Sequence, residues 1–592
     1  MKGWQGKVLR VDLGRGVAEE EFLPSDIALR FLGGRGLGVY WLFREARGAD
    51  PLGPDNLVVL ATGPLTGTRA PGAGRFTAVF RSPLTGTVCD CSAGGSFGAR
   101  LKRCGYDAVI IRGRAPHPVY LHISSEGTRL EKADQLWGLE VPEAHRRLKA
   151  QFGRLSSILA IGPAGETGVL YACAAVDARR HLGRGGLGAV MGAKRLKAVV
   201  VTGGGAVEVA DPRAFEAVLY EVEKLVEANP VTSQALPEFG TAVLVNLLNE
   251  ARSFPSYNFR KSVFEGAPAI SGEALRSRFF RRRSSCWGCP IGCGRVLMLD
   301  GEEVEGPEYE SVWALGANLG IDDLEAVVRA NLLCNRLGLD TISAGGSLAC
   351  AMELAAEGGL AGDLKFGCPE TVLTLLPEIA RREGVGAELA EGSRRLATRW
   401  GASEVAMQVK GLELPAYDPR GMLGQGLGFA TSNRGGCHLR GNMLGPEILG
   451  IPKLIDRFQT EGKAGVLIYL QHNHAVLDSL VLCKFVSFAL REEHYARLLR
   501  AATGQEWTAQ DLLRLGERIW TLERLYNLEV GFGPQDDRLP RRLLEEPAQG
   551  RTFDLAAMLK EYYRFRNWEE SGWPARAKIG ELGLLELLRE QA

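Results

Sequence analysis

Three cysteines at short spacing are the residues of this chain best suited to metal chemistry. Cys286, Cys289 and Cys293 form a CxxCxxxC run with glycine and proline between them. An iron–sulfur cluster takes four thiolates, often a compact run of three plus a distant fourth, whereas structural zinc usually shows paired CxxC units or histidines. The chain has no second CxxC, and the nearest histidine downstream is His438. The spacing therefore predicts a 4Fe-4S cluster rather than zinc.

The fourth ligand of such a cluster is not decided by spacing. Five cysteines further along the chain are candidates by count: Cys334, Cys350, Cys368, Cys437 and Cys483. Any single one could instead be a small buried side chain, because free cysteine is among the most buried residue types. From the residues alone the choice stays open.

Glycine-rich strings form a second group of interest, in a chain with 75 glycines among 592 residues. The strings cover residues 33–38, 71–75, 92–95 and 183–188. Free backbone amides beside arginine suit phosphate groups, so the strings predict a phosphate-bearing cofactor. The alternative is that these glycines only turn a β-rich region. No string follows a strand as GxGxxG with an acid about twenty residues on, which disfavours a dinucleotide site.

Hydrophobic patterning divides the chain into a β-rich first third and a helical remainder. Six runs predict strands: KVLRVDL, NLVVLATG, RFTAVFRS, DAVIIRG, VYLHISS and KAVVVTGG. Apolar residues at three-to-four spacing dominate afterwards, and the pair Asp211-Pro212 is suited to open a helix. We predict an α+β multidomain protein, with a β-rich N-terminal cofactor-binding domain at 1–205 and two mainly α-helical domains at 206–412 and 413–592.

Composition excludes several classes of function. The 71 basic and 70 acidic side chains leave a formal net charge of +1, so no overall field favours nucleic acid or an anionic membrane. No segment reaches the roughly 18 apolar residues needed to span a bilayer, and the N-terminus has no cleavable apolar core. Twelve cysteines in so long a chain do not make a disulfide framework. A cytoplasmic location is expected.

From GWQGKVLRVDLG near the start to the C-terminal helices, the chain resembles the aldehyde ferredoxin oxidoreductase family. The resemblance rests on ATGPLTGT, RGGLGAVMGAK, CxxCxxxC, GPEYES, NRLGLDT, TSNRGGCHLRG and DSLVLCKF, in that order. It implies a tungsten atom, less often molybdenum, held by the dithiolenes of two pterins. It also implies a 4Fe-4S cluster beside one pterin, with Cys286, Cys289, Cys293 and Cys483 as its ligands.

The resemblance also implies which residues contact the pterins and their phosphates. The positions are Arg75, Ser92, Ala93, Gly94, His181, Leu182, Arg184, Asn335, Leu339, Asp340, Arg440, Asp478, Leu482 and Cys483. A Mg²⁺ ion is expected to bridge phosphates through the carbonyls of Ser92 and Leu182, in keeping with its preference for oxygen ligands. Individually, the two loops around 335–340 and 478–483 could be ordinary helix C-termini.

Four positions depart from the family's pattern. Asn335 replaces an aspartate, Val481 a glycine, Ser92 an asparagine and His181 an arginine. Asparagine keeps donor and acceptor groups but brings no charge, and serine still offers its carbonyl. Cofactor binding is expected to survive these changes, with an altered redox potential. Arg329 stands where the type member has a glutamate that helps to hold an intersubunit metal, so a homo-oligomer stays an open expectation.

Glu310 and His438 match the family positions beside the metal and are expected to form its acid–base pair. Aldehyde oxidation requires water to add and protons to leave, for which a carboxylate and an imidazole are suited. The alternatives are an exposed acid in an acidic stretch for Glu310 and a structural histidine for His438. Which of the two donates and which accepts a proton stays open.

The functional hypothesis is oxidation of an aldehyde to a carboxylic acid, with electrons passed through the cluster to ferredoxin or an iron–sulfur partner subunit. One alternative lies inside the family, a tungsten aryl-CoA reductase that dearomatises a ring. Another is a non-catalytic protein with structural zinc on the three cysteines and glycines that serve only as turns. Neither nucleic acid nor membrane is an expected partner.

Overall fold

The computed structural model describes residues 1–359, 364–546 and 553–589. The N-terminal part contains two six-stranded sheets, as expected for a β-rich region. The first has the order β2-β1-β6-β3-β4-β5. Its strands are β1 Lys7–Asp12, β2 Val17–Phe22, β3 Val58–Ala61, β4 Phe76–Arg81, β5 Val88–Ala93 and β6 Ala108–Arg112. Only the pairing of β1 with β6 is parallel.

The second sheet has the order β11-β10-β9-β12-β7-β8. Its strands are β7 Val119–Ser124, β8 Gly127–Lys132, β9 Ser157–Ile161, β10 Ala174–Val176, β11 Arg180–Leu182 and β12 Leu196–Val201. All six strands predicted from hydrophobic runs are present. The other six strands, β2, β5, β8, β9, β10 and β11, were not among the predicted runs. The shortest of them, β10 and β11, have three residues each, which carry too little alternation to be recognised.

Helices dominate the rest of the chain. Six lie among the N-terminal strands: α1 Ser25–Phe31, α2 Gly34–Glu45, α3 Phe97–Arg103, α4 Val141–Phe152, α5 Pro163–Glu166 and α6 Leu187–Ala193. The later ones are α7 Pro212–Ala228, α8 Leu236–Phe239, α9 Leu244–Glu250, α10 Gly272–Arg278, α11 Tyr309–Leu315, α12 Leu324–Leu337, α13 Thr341–Ala356, α14 Pro369–Arg381, α15 Gly386–Leu389, α16 Ser393–Arg399, α17 Leu423–Thr431, α18 Lys463–Leu480, α19 Glu492–Thr503, α20 Ala509–Glu529, α21 Arg541–Glu545, α22 Leu555–Arg566, α23 Arg576–Glu581 and α24 Leu585–Arg589. The fold is thus α+β, with a β-rich N-terminal region followed by mainly helical ones.

Two small sheets interrupt the helical part. One is a three-stranded antiparallel sheet of β13 Phe280–Ser284, β14 Gly294–Leu299 and β15 Glu302–Glu305. The other pairs β16 Gln408–Val409 with β17 Leu412–Glu413. Neither sheet was predicted from the sequence. The first matters for function, because the cysteine run lies in the loop between β13 and β14.

Helix starts follow the expected local chemistry. The carboxylate of Asp211 accepts a hydrogen bond from the Ala214 N–H, and Pro212 occupies the first helical position of α7. This confirms the helix predicted from the Asp-Pro pair. In the same way Asp340 caps α13, so this cofactor-loop residue also ends the connection between α12 and α13.

The first sheet packs against a hydrophobic core on each face. Segments that are distant in sequence pack onto it and so reach one site. Phe76, Ala78 and Phe80 of β4 belong to the core shared with the second sheet. Val79 belongs instead to a core formed with α2, α18 and α20. Alternate side chains of a strand point to opposite faces, so β4 contributes to both cores. The C-terminal helices therefore pack back onto the N-terminal region. Among the described residues, no helix is long and apolar enough to cross a membrane.

Candidate active site

A cavity of about 500 Å³ lies between the N-terminal sheets and the helical part of the chain. It is bordered by the end of β5, by β11 and by the loop between β13 and β14. The residues that follow α12 and α18 complete it. All four expected cluster ligands and both expected acid–base residues line this one cavity. Segments from every part of the chain therefore contribute to a single candidate site.

Four thiols occupy one end of the cavity. Cys286, Cys289 and Cys293 come from the β13–β14 loop, and Cys483 follows α18. Burial, with a smaller contribution from the nearby Cys483, raises the pKa of Cys289 to about 11. Burial also raises the pKa of Cys293 well above its usual value, with added effects from Glu308 and Cys483. In the described part of the chain, no three His, Cys, Asp or Glu side chains are grouped to hold a single metal ion.

Glycines of the second and third glycine-rich strings allow the cysteine segments to approach closely. A Cβ added at Gly94 would lie 2.3 Å from the Cys286 Sγ, and one at Gly74 would lie 2.5 Å from the Trp287 carbonyl oxygen. The Trp287 N–H donates to the Gly95 carbonyl at 3.1 Å. These glycines therefore hold the cysteine loop against the N-terminal region.

Replacing Gly94 by alanine is accordingly expected to displace the Cys286 side chain and to lower the iron content of the purified protein. The new methyl group has no space, since contacts below 3.0 Å to a Cβ require a shift of the neighbour. Gly204→Ala is the matched control, because nothing lies within 4 Å of its added Cβ. Iron per chain is the measurement, and equal iron in the two variants would contradict the expectation.

The first expected pterin loop follows α12. Gly338 ends this helix in the left-handed conformation, with φ 80°, and its carbonyl accepts a hydrogen bond from the Cys173 N–H at 2.8 Å. Asn335 and Leu339 line the cavity. The Asp340 carboxylate accepts from Ser343 Oγ at 2.8 Å and lies 3.1 Å from Arg184 Nε, in an ion pair without hydrogen-bond geometry. Protein groups thus already engage this carboxylate.

The second expected loop follows α18, where Val481 adopts a left-handed φ of 60° that glycine would adopt without strain. Cys483 lines the cavity, and its N–H donates to the Gly72 carbonyl at 3.2 Å. Burial would raise the pKa of Asp478, but Lys484, Arg440 and Arg35 hold it well below its usual range. This carboxylate is therefore ionised and enclosed by cations.

Behind the second loop lies a buried charge network. Arg440 pairs with Asp90 at 2.6 Å and with Asp478 at 2.8 Å. Arg35 pairs with Glu523 at 2.6 Å and with Asp478 at 3.3 Å. Such charges are tolerated in a protein interior only when paired and hydrogen-bonded. The first glycine-rich string, which contains Arg35, therefore packs against the 478–483 loop and does not line the cavity, contrary to its expected role as a free phosphate nest.

Glu310 and His438 lie together, with only 15% and 12% of their side chains exposed. The Ala416 N–H donates to Glu310 Oε2 at 3.0 Å, and Glu310 Oε1 is 3.5 Å from His438 Nε2. Burial raises the pKa of Glu310 to about 8. Burial also lowers the pKa of His438 well below its usual value, and Arg184 adds to this effect. Near neutral pH the pair is therefore a protonated carboxyl and a neutral imidazole.

Several buried polar atoms in or beside the cavity have no hydrogen-bond partner within the described residues. They are His181 Nε2, Arg184 Nη1, Glu310 Oε1, Asn331 Nδ2 and His438 Nδ1. Buried polar groups in proteins are nearly always hydrogen-bonded. The cavity is therefore suited to a large polar group that supplies the missing partners, and a bis-pterin cofactor with phosphates fits that description.

The remaining expected cofactor residues divide into two sets. Arg75, Ser92, Ala93, Gly94 and His181 line the cavity. The ones that do not line it are Leu182, Arg184, Arg440, Asp478 and Leu482. Arg75 Nη2 donates to the Ser92 carbonyl at 2.9 Å, so this arginine orients an oxygen expected to bind Mg²⁺. Burial lowers the pKa of His181 to about 4, which makes this side chain a neutral one.

Several polar residues of the cavity were not predicted from the sequence, among them a charged group beside the cysteines. Arg180 lies 3.3 Å from Glu305 and 3.5 Å from Glu308, and all three line the cysteine end. Burial raises the pKa of Glu305 to about 7. The position of Arg180 next to His181, and of Glu308 within GPEYES, could have indicated them. Tyr417 was also missed; its ring centroid lies 5.4 Å from that of His438.

Comparison with known proteins shows which family this chain resembles along its length. The family model for the N-terminal domain of aldehyde ferredoxin oxidoreductase matches residues 8–203, and the model for its domains 2 and 3 matches residues 217–584. The tungsten-containing aldehyde ferredoxin oxidoreductases of Pyrococcus furiosus and Pyrococcus abyssi are each 46% identical to this chain. Each alignment covers 99% of this chain and 100% of the relative.

A solved structure shares the fold at lower identity. It is the active site complex of benzoyl coenzyme A reductase with a dienoyl-CoA, with a TM-score of 0.86 and 24% identity. The match covers 100% of this chain and 98% of that one. Because both family models and the close relatives span nearly all of the chain, the resemblance seen in its motifs is confirmed. The chain belongs to the aldehyde ferredoxin oxidoreductase family, and it is an oxidoreductase of that type.

Proposed function

We propose that this protein oxidises an aldehyde, with water, to a carboxylic acid, releasing two protons and two electrons. A 4Fe-4S cluster, when bound, would pass the electrons one at a time to ferredoxin or an iron–sulfur partner subunit. One observation carries the proposal: a single cavity is lined by four thiols that lie near one another and by the pair Glu310 and His438. Relatives of nearly equal length, at 46% identity, are named as tungsten-containing enzymes of this activity.

A tungsten bis-pterin cofactor would supply the two-electron chemistry when bound, with molybdenum as the alternative metal. Arg75, His181 and Asn335 line the cavity and would contact the pterins and their phosphates. The unpartnered nitrogens of His181 and Arg184 support this assignment, because they lack acceptors inside the described protein. The carbonyls of Ser92 and Leu182 would bind Mg²⁺ between phosphates. Asp340, Arg440 and Asp478 would act largely by holding the loops that border the cofactor.

The cluster would be held by Cys286, Cys289, Cys293 and Cys483. The thiols influence one another's pKa values, so they lie near one another. They are nevertheless not grouped as ligands of a single ion within the described residues. Thiols spaced more widely than the ligands of a single ion suit a cluster of four irons better than they suit zinc. Three of the thiols lie in a loop with exposed residues between them, which gives electrons a short route to a partner.

The acid–base roles follow from the protonation states. Glu310 is protonated near neutral pH and can donate from its carboxyl to the oxygen of a bound aldehyde. His438 is neutral and can accept a proton from water as the water adds to the carbonyl carbon. The surroundings favour these assignments, since burial disfavours a charged carboxylate and the nearby arginines disfavour an imidazolium.

The experiment that tests the proposal is metal and sulfide analysis of protein purified anaerobically from cells supplied with tungstate and molybdate, followed by an aldehyde assay with a one-electron dye. We expect about one tungsten and about four irons per chain, together with dye reduction that depends on aldehyde. Zinc without tungsten or iron would contradict the proposal and support the structural alternative. Full metal content with reduction of an aryl-CoA but no aldehyde oxidation would support the aryl-CoA alternative.

A further inference from the structure

Cys437 precedes His438 and belongs neither to the thiol end of the cavity nor to the acid–base pair. Its side chain is buried, with the residue only 1% exposed. Three N–H groups donate to its Sγ: Arg434 Nη2 at 2.9 Å, Arg434 Nε at 3.2 Å and the Leu439 backbone N–H at 3.2 Å. A sulfur that receives three donors is acting as an acceptor, which is the role of a thiolate rather than a thiol.

The charge of Arg434 supports the same conclusion. Its guanidinium is buried and always protonated. Its remaining nitrogen, Nη1, donates to the backbone carbonyl of Asp90. Within the described residues no carboxylate forms an ion pair with Arg434, and the Cys437 sulfur acts on its charge more strongly than the Asp90 carboxylate does. A buried arginine without a counter-charge would be strongly unfavourable. Burial tends to raise the pKa of Cys437, but Arg434, Arg440 and Arg184 bring it below its ordinary value.

We propose that Cys437 is a buried thiolate that balances the arginine charge beside the acid–base pair and fixes the turn that carries His438. It is a positioning residue. By accepting from Leu439, its sulfur caps the single 3-10 turn His438–Arg440. One end of that turn places His438 against Glu310, and the other places Arg440 between Asp90 and Asp478.

The thiolate also acts on Glu310 through its charge. Among the groups that face Glu310, Arg184 lowers its pKa, whereas Cys437 and Asp340 raise it. Tyr417 and Tyr309 also interact with this carboxyl, and both remain neutral because burial raises their own pKa values. Around Cys437 itself the charged groups are Arg434, Arg440 and Arg184, with the neutral thiol of Cys89 nearby. The thiolate therefore helps to keep the Glu310 proton in place.

The test compares Cys437→Ala and Cys437→Ser with Cys350→Ala, a matched change at a buried thiol elsewhere in the chain. The readout is the pH titration of the Glu310 carboxyl in the resting holoenzyme, followed by the infrared band of its protonated form. That band is identified as the one missing from Glu310→Gln. No aldehyde is present during the titration, so its outcome does not depend on the proposed function. Only the kinetic part of the inference rests on that function.

In both Cys437 variants we expect the Glu310 carboxyl to titrate at a pH about one unit lower than in the wild type, because a nearby negative charge has been removed. Cys350→Ala should match the wild type. In turnover, kcat should fall about tenfold in Cys437→Ala with KM little changed, and serine should restore part of kcat, because its hydroxyl still accepts hydrogen bonds. An unshifted titration in both variants would overturn the proposal. A shift in alanine alone would also overturn it, since it would reflect packing rather than charge.

Discussion

Cys289→Ser is expected to abolish the iron–sulfur cluster. The Cys289 thiol lines the cavity with Cys286, Cys293 and Cys483, and a hydroxyl is a much poorer ligand for iron than a thiolate. Iron and sulfide per chain should fall from about four of each towards zero, with loss of visible absorbance. Aldehyde-dependent reduction of a one-electron dye should be lost with them, because the exit route for electrons is gone.

Cys368→Ser provides the control for this change. Cys368 is also partly exposed and is by count one of the possible fourth ligands, yet it does not line the cavity. The Cys368→Ser variant should keep its full iron content and activity. Cys483→Ser should behave as Cys289→Ser does if the distant fourth ligand is assigned correctly. Full iron in either Cys289→Ser or Cys483→Ser would show that the assigned ligand set is wrong.

Glu310→Gln is expected to lower kcat by about 10²–10⁴ while tungsten and iron content stay unchanged, because general acid–base catalysis contributes roughly that much. Glutamine has nearly the same shape and can still donate a hydrogen bond, but it cannot transfer a proton. Glu303→Gln is the matched control, since Glu303 lies on β15 in the same acidic stretch and is exposed. A Glu310→Gln enzyme with kcat within about twofold of the wild type would remove Glu310 from the acid–base pair.

The pH dependence of kcat distinguishes whether Glu310 acts as the acid or as the base. The pKa of Glu310 is raised to about 8, so the carboxyl carries its proton below that pH and loses it above. If the carboxyl donates to the substrate oxygen, kcat should be constant from about pH 6 to 7 and fall as the pH rises through about 8. The residual rate of Glu310→Gln should lack this fall. A wild-type rate that rises through pH 8 would instead assign Glu310 as the base.

Local chemistry was readable from the sequence because neighbouring residues determine it. Hydrophobic runs predicted the principal strands, and Asp211-Pro212 predicted the start of a helix. The cluster that the CxxCxxxC run predicts stays a prediction. Motifs in the right order identified the family. Each of these features depends on residues a few positions apart, so the amino-acid types and their spacing suffice. The acidic stretch around Glu310, by contrast, resembled a solvated surface, and only the folded chain shows the carboxyl to be buried.

Features that join distant segments were decided by the tertiary structure. Spacing could not choose among five cysteines, whereas packing of α18 against α2 and α20 brings Cys483 to the same cavity as Cys293. The glycines at 33–38 looked like a phosphate nest, but burial of Arg35 against Asp478 and Glu523 turns them into a packing surface. Cys437 was indistinguishable from a small buried side chain until Arg434 was seen to donate to it. Burial and long-range charge set these roles, and neither is encoded in local spacing.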